Sequence, residues 1–208
     1  MKKLFNSIVC LLFVFNCAVY AQESGEKSAL KNEISVSTSN LNFDNLSLKY
    51  AKSISKDLWF KVGVINLEGN FHKNMPSVGS FNSTNSQFNG GLLIGIDKQK
   101  SITNKLEFIC GLNVQMIYNY TNYTTENPAV PLSQRDNKVF KYSPGVSCGL
   151  GFFYIINPSM LLGFEVNPSI SYSFINSEST YADFPYKNEG FDFSLSNNGA
   201  LVTLKYRF

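Results

Sequence analysis

The sequence predicts an all-β protein: a single antiparallel up-and-down transmembrane β-barrel of about eight strands, after an N-terminal signal peptide. Three observations lead to this prediction. Apolar residues recur at every second position along most of the chain, short and long polar connections alternate, and aromatic residues gather at both ends of the apolar segments. We expect residues 1–21 to form the signal peptide and residues 22–208 the barrel domain.

The first 21 residues have the three parts of a secretory signal peptide. Lys2 and Lys3 are the positive start, Ile8–Phe15 is an unbroken apolar run, and small residues precede a cleavage point after Ala21. The alternative, a lipoprotein signal at Cys17, lacks the small residue expected before the cysteine.

The charge balance excludes one class of partner. The formal charge is +3, and without Lys2 and Lys3 it becomes +1, from 16 basic against 15 acidic residues. Because no basic stripe runs along the chain, the sequence predicts no nucleic-acid binding. No apolar run after residue 21 approaches the length of a membrane-spanning helix.

The clearest period-two segment is residues 106–120. Its uncharged face is long enough to cross a bilayer as a tilted strand, and consists of Leu106, Phe108, Cys110, Leu112, Val114, Met116, Tyr118 and Tyr120. The same alternation, over shorter or weaker segments, predicts seven further strands around Ile34–Val36, Leu46–Tyr50, Trp59–Val64, Phe88–Ile96, Phe140–Phe152, Leu162–Phe174 and Ala200–Phe208.

The connections between these segments alternate in length. Residues 55–57, 98–104 and 157–159 are predicted to be short turns, and residues 72–86, 121–138 and 176–190 long polar loops. Bacterial outer-membrane barrels have short periplasmic turns and longer outer loops. Aromatic residues are predicted to form one girdle at the outer ends, including Tyr118 and Tyr142, and one at the inner ends, including Trp59 and Phe60.

The C-terminal strand carries a resemblance to a known signal. Leu204, Tyr206 and Phe208 resemble the terminal strand that the outer-membrane barrel assembly machinery recognises. Together with the pattern above, the whole mature chain resembles the small outer-membrane β-barrel families, namely the OmpA-type transmembrane domain, the OmpX-like barrels and the "porin family" barrels common in Bacteroidetes. The resemblance implies location in the outer membrane, with its lipid and the assembly machinery as partners.

Charged residues are predicted to point into the barrel, mostly toward its periplasmic end: Lys49, Lys61, Asp97, Glu107, Glu165, Lys205 and Arg207. Charges of both signs in a narrow lumen should pair, because unpaired burial is costly. We expect Glu107 and Glu165 to share cationic partners among Lys61, Lys205 and Arg207. Two interpretations remain, a salt-bridged plug and a gate or selective constriction; an eight-stranded interior, only wide enough for side chains, favours the plug.

Small residues allow two interpretations each. Cys110 and Cys148 fall on neighbouring predicted strands and face lipid, where they either form a cross-strand disulfide or act as small apolar residues. The inward glycines either leave room for a ligand or relieve crowding in a tight barrel; they are Gly63, Gly91, Gly95, Gly111, Gly145, Gly149, Gly151 and Gly163.

No catalytic, cofactor or metal site is predicted. The one histidine, His72, is assigned to a solvated loop, with no nucleophile pattern beside it. Three functions follow in order: a structural or interaction barrel whose outer loops meet an extracellular ligand, a narrow porin-like channel for small solutes, and an outer-membrane lipid-modifying enzyme.

Overall fold

A computed structural model describes residues 30–39, 46–74, 81–129, 135–179, 186–194 and 200–208. The chain divides into two units, residues 1–30 and 31–208, and the strands described below belong to the second. The predicted signal peptide and the Cys17 alternative lie outside the described residues. Among those described, no helix has the length and apolar character needed to span a membrane.

Ten strands make up nearly all of the described chain. They are β1 (Asn32–Thr38), β2 (Leu46–Ser53), β3 (Leu58–Asn74), β4 (Ser83–Thr103), β5 (Leu106–Thr125), β6 (Asp136–Asn157), β7 (Met160–Val166), β8 (Ser169–Ser179), β9 (Tyr186–Ser194) and β10 (Ala200–Arg207).

The strands close into a ring in which every pairing is antiparallel. From β1 to β6 each strand pairs with the next along the chain. β7 and β8 both pair with β6, so together they fill one position in the ring, which we call a course; it is interrupted at Asn167 and Pro168. β10 pairs with β7, and β9 pairs with β8, and these two segments fill the next course. β10 then pairs with β1. Ten segments thus form eight courses, which confirms the predicted up-and-down barrel.

Strands β3 to β6 are longer than the sequence predicts, at 17 to 22 residues. Within the predicted loops at 72–86, 121–138 and 176–190, most of the described residues are in strands, and the predicted turn at 98–104 shrinks to Asn104 and Lys105. His72 accordingly lies exposed on β3 and not in a loop. Backbone pairing needs no apolar side chains, so it continues where the apolar alternation has ended and both faces are polar.

The two faces of the sheet reverse the usual arrangement of a folded protein. Large apolar side chains are exposed on the outer face; Leu112, for example, is 72% exposed, and Leu92, Val114 and Phe164 are similar. Polar and charged side chains occupy most of the interior, and among the described residues the cluster of buried apolar side chains consists of Ile109, Phe153 and Leu161.

Aromatic rings contact each other in tilted pairs across strands at the outer edge of the apolar face. The ring centroids of Tyr118 and Tyr142 lie 5.2 Å apart, and those of Tyr120 and Phe140 5.1 Å.

At the opposite, inner edge of the apolar face, the assignment of Trp59 to the aromatic girdle is wrong. Its side chain is buried and lies 5.2 Å from the Arg207 guanidinium, because β3 turns its odd-numbered positions inward.

Candidate functional site: a charge network in the lumen

The described part of the barrel interior holds a network of eight charged side chains, contributed by seven strands. The seven residues predicted from the sequence all point inward, and Glu33 of β1 joins them. Among the described residues, four cations (Lys49, Lys61, Lys205 and Arg207) therefore face four carboxylates (Glu33, Asp97, Glu107 and Glu165), and each takes part in an ion pair. The network as a whole is neutral.

Arg207 is the most connected member. Its Nη1 and Nη2 donate to the two carboxylate oxygens of Glu107 at 3.0 and 2.5 Å. Its Nε donates to Glu33 at 3.0 Å, and Nη2 also donates to Gln99 Oε1 at 2.7 Å. The indole of Trp59 lies against the guanidinium. One side chain from β10 thus connects β1, β3, β4 and β5 across the lumen, in the forked geometry that suits a guanidinium.

The three lysines have simpler surroundings. Lys205 Nζ donates to Glu33 at 2.9 Å and lies 4.3 Å from the centroid of the buried Phe153 ring. Lys49 Nζ donates to Glu165 at 2.6 Å, and Lys61 Nζ donates to Asp97 at 2.5 Å. Each ammonium therefore has a carboxylate within hydrogen-bonding distance, as buried charges require.

The hypothesis that Glu107 and Glu165 share partners among Lys61, Lys205 and Arg207 is wrong. Glu107 pairs with Arg207, and Glu165 pairs with Lys49. The tilt and stagger of the strands decide which inward residues reach the same height in a barrel, and sequence position alone does not show this.

Glu33 and Gln99 are site residues that the sequence analysis missed. Glu33, only 2% exposed, precedes the short apolar pair of β1, and extending that alternation by one residue would have placed it inward. Gln99 was assigned to a turn, although the alternation of β4 continues through it.

Above the ion pairs, hydroxyl and amide groups line the interior. Thr203 Oγ1 donates to Ser37 Oγ at 2.9 Å, and Asn113 Nδ2 donates to Ser147 Oγ at 3.1 Å. A cavity of about 240 Å³ lies at this level, with Lys49 in its wall. Within the described ranges, no three His, Cys, Asp or Glu side chains are grouped to hold a metal ion.

The cysteine pair is not a disulfide. Cys110 lies opposite Leu150 and Cys148 opposite Leu112, so the two are diagonal neighbours on β5 and β6, and both are free thiols. The two cysteines do lie on neighbouring strands, as the sequence predicts. The register, however, is two residues away from the one that would place them directly opposite each other.

The proposed assembly-signal residues lie on and just beyond β10, at the seam where the barrel closes. Leu204 and Tyr206 lie opposite Val36 and Ile34 of β1, and Phe208 exchanges backbone hydrogen bonds with Asn32 at 2.9 and 3.0 Å. The rings of Tyr206 and Phe208 are stacked, with centroids 6.1 Å apart. Recognition of this segment by the assembly machinery stays a prediction.

No protein-family model matches the chain, and neither does any curated protein. Solved structures similar to it include a major outer membrane protein from Thermus thermophilus, with a TM-score of 0.47 and 13% identity, covering 86% of this chain and 99% of that one. Ail, the attachment invasion locus protein of Yersinia pestis, has a TM-score of 0.34 and 11% identity, with coverages of 86% and 94%. CarO of Acinetobacter baumannii has a TM-score of 0.35 and 11% identity, with coverages of 89% and 99%.

Proposed function

We propose that this chain is an integral outer-membrane barrel whose lumen is closed by its charge network and whose outer end has a structural or interaction role. Outer-membrane lipid surrounds the barrel, the assembly machinery inserts it, and an extracellular ligand meets its outer loops. The observation that carries the proposal is that large apolar side chains are exposed on the outside of the barrel while charged side chains are buried inside it.

The height of the apolar face supports a membrane location. On β5 it runs from Leu106 to Tyr120, and at about 3.4 Å per residue with a tilt of about 45° this is about 34 Å along the barrel axis. A bilayer has a hydrocarbon core of about 30 Å. The ring of pairings also leaves no edge between β1 and β10, as a lipid environment demands.

The neutrality of the network supports a plug over a gate. A selective constriction presents a ring of one charge sign to the passing solute. Here each of the eight charges of the network is matched at 2.5 to 3.0 Å by an opposite one, so the described network presents no ring of a single charge sign.

The length of the strands supports a role at the outer end. A strand needs about 9–11 residues to cross a bilayer, whereas β4, β5 and β6 have 20 to 22. Beyond the aromatic rows their outward residues are polar, including Thr84, Ser86, Asn122 and Lys138. A polar sheet of this extent outside the bilayer is a surface on which a ligand can bind.

Two measurements test the proposal. The protein should fractionate with the outer membrane and shift in gel mobility only after boiling in detergent. In planar bilayers the wild type should show no steady conductance, and neither Glu107→Gln nor Glu165→Gln should open a regular one. Unitary conductance in the wild type that changes with either substitution would favour the narrow channel instead.

A further inference from the structure

The cavity above the ion pairs has a lining unlike the rest of the lumen. Its wall combines carboxamides and serine hydroxyls with aliphatic side chains such as Leu93 and Ile117. At about 30 Å³ per water molecule, its 240 Å³ hold about eight water-sized groups. Past Asn89 lies a second cavity of about 210 Å³, which Gln87 and Asn119 line together with the carboxylate of Glu68.

The chemistry of this wall selects for a neutral polar ligand. A carboxamide offers both donors and an acceptor, and a serine hydroxyl can do either, so such a wall matches a molecule with several hydroxyl groups. Among the described residues of this wall, Lys49 carries the one charge, and it already donates to Glu165 at 2.6 Å. A charged ligand would therefore lose hydration without gaining an opposite charge, and is disfavoured.

Two irregularities in the backbone bring side chains to the cavity wall. At the β-bulge of β3, Asn66 has a φ of 56° and its N–H donates to Ser47 Oγ at 3.2 Å. On the other side, the pairing with β6 stops at Asn167, between β7 and β8. Both asparagines line the cavity. Bulges commonly redirect side chains next to binding sites.

Not every strand at this level is irregular. Strand β5 passes the same level with continuous pairing to β6 from Leu106 to Thr124. A non-glycine residue in the left-handed region is uncommon, although asparagine tolerates it better than most. The interruptions thus lie on β3 and between β7 and β8, at two of the positions that line the cavity.

We propose that the lumen cavity binds a small neutral polyhydroxylated molecule, of the size and class of a single sugar ring. Its hydroxyl groups would hydrogen-bond with Asn66, Asn89, Gln115 and Asn167, and its C–H face would pack on Leu93. The aliphatic and amide parts of the wall match the apolar and polar faces of such a molecule.

The test is calorimetric titration of the full chain, refolded in detergent micelles, with glucose and N-acetylglucosamine as probes and with glucosamine and gluconate as charged counterparts. We expect saturable binding of at least one neutral sugar, and binding at least tenfold weaker for the charged ones. No saturable binding of either neutral sugar, or equal affinity for the charged forms, would overturn the proposal.

Two variants locate the site. Ser171→Phe places a ring in the cavity and should abolish binding, whereas Asn176→Phe, on the outer face of the same strand, should leave it unchanged. If Ser171→Phe does not fold, which the absence of a gel-mobility shift on boiling would show, Gln115→Leu replaces it. This second variant should weaken binding at least tenfold. Unaltered affinity in the folded cavity variant contradicts the assignment. If the barrel conducts ions and also binds a neutral sugar, the proposal of a closed lumen fails and the proposal of a sugar site stands.

Discussion

Arg207 and Glu107 face each other across the lumen, joined by two hydrogen bonds of 3.0 and 2.5 Å between guanidinium and carboxylate. One residue lies at the end of β10 and the other at the start of β5, 100 positions apart in the chain. Because Arg207 also holds Glu33 and Gln99, the last strand is tied both to its neighbour β1 and to strands beyond it.

Arg207→Met should therefore be among the most destabilising single substitutions in the lumen. It leaves Glu107 without its cation and Glu33 with Lys205 alone, and breaking a buried pair costs about 3–5 kcal/mol. Arg207→Lys should lose less, since it keeps the charge but not the fork. Urea unfolding in lipid vesicles measures both, and Lys100→Met, at an exposed position, is the control. A loss no larger than in the control would show that the guanidinium does not hold the seam.

The Lys49–Glu165 pair allows the plug to be tested for stability as well as for closure. Glu165→Gln alone leaves a buried ammonium beside an amide and should destabilise the barrel by about 3–5 kcal/mol. Lys49→Met combined with Glu165→Leu removes both charges, and replacing a buried pair by apolar residues is commonly neutral or better. A double-mutant cycle in urea measures the coupling. Additive effects of the two substitutions would mean that the pair contributes no coupling energy.

The orientation of the lumen residues could be predicted from the sequence because side chains on a strand alternate strictly between two faces. Once Leu112 and Val114 are assigned to the outside, Glu107 and Asn113 must be inside, and the structure has them buried there. Trp59 was misassigned because the alternation was not applied to it: an aromatic residue at a strand end was counted in the girdle whichever face it occupied.

The partners of the lumen charges could not be predicted in the same way. Arg207 lies opposite Glu33 in the register, yet its strongest contact is with Glu107, three courses away around the ring. That contact depends on the stagger of all the strands, which no single segment of sequence encodes. The ends of β3 to β6 could not be predicted either. Outside the apolar band both faces of the sheet are polar, so the sequence there shows no apolar alternation, although the backbone pairing continues.

The inward Gly111 and the exposed Gly69 differ in how closely neighbouring atoms approach them. A Cβ on Gly111 would meet the Asp97 carboxylate and would lie 2.7 Å from the backbone oxygen of Ile96, whereas a Cβ on Gly69 would have no neighbour within 4 Å. Gly111→Ala should destabilise the barrel by about 1–3 kcal/mol, as overpacking does, and disturb the Lys61–Asp97 pair. Gly69→Ala is the matched control, and urea midpoints compare the two. Equal midpoints would support the view that Gly111 leaves usable space rather than relieving crowding.

The exposed apolar face provides the most direct test of the membrane location. Leu112 is 72% exposed, so Leu112→Arg would cost little if water surrounded the barrel. In lipid, an arginine on the outward face near the bilayer midplane costs about 2–4 kcal/mol, and this falls to about 0–1 near the interfaces. We expect the large loss for Leu112→Arg in vesicles and almost none for Asn176→Arg, which lies exposed beyond the aromatic pair of Tyr172 and Phe174. If both variants unfold at the wild-type urea concentration, Leu112 does not face hydrocarbon, and the proposed location in the outer membrane fails with it.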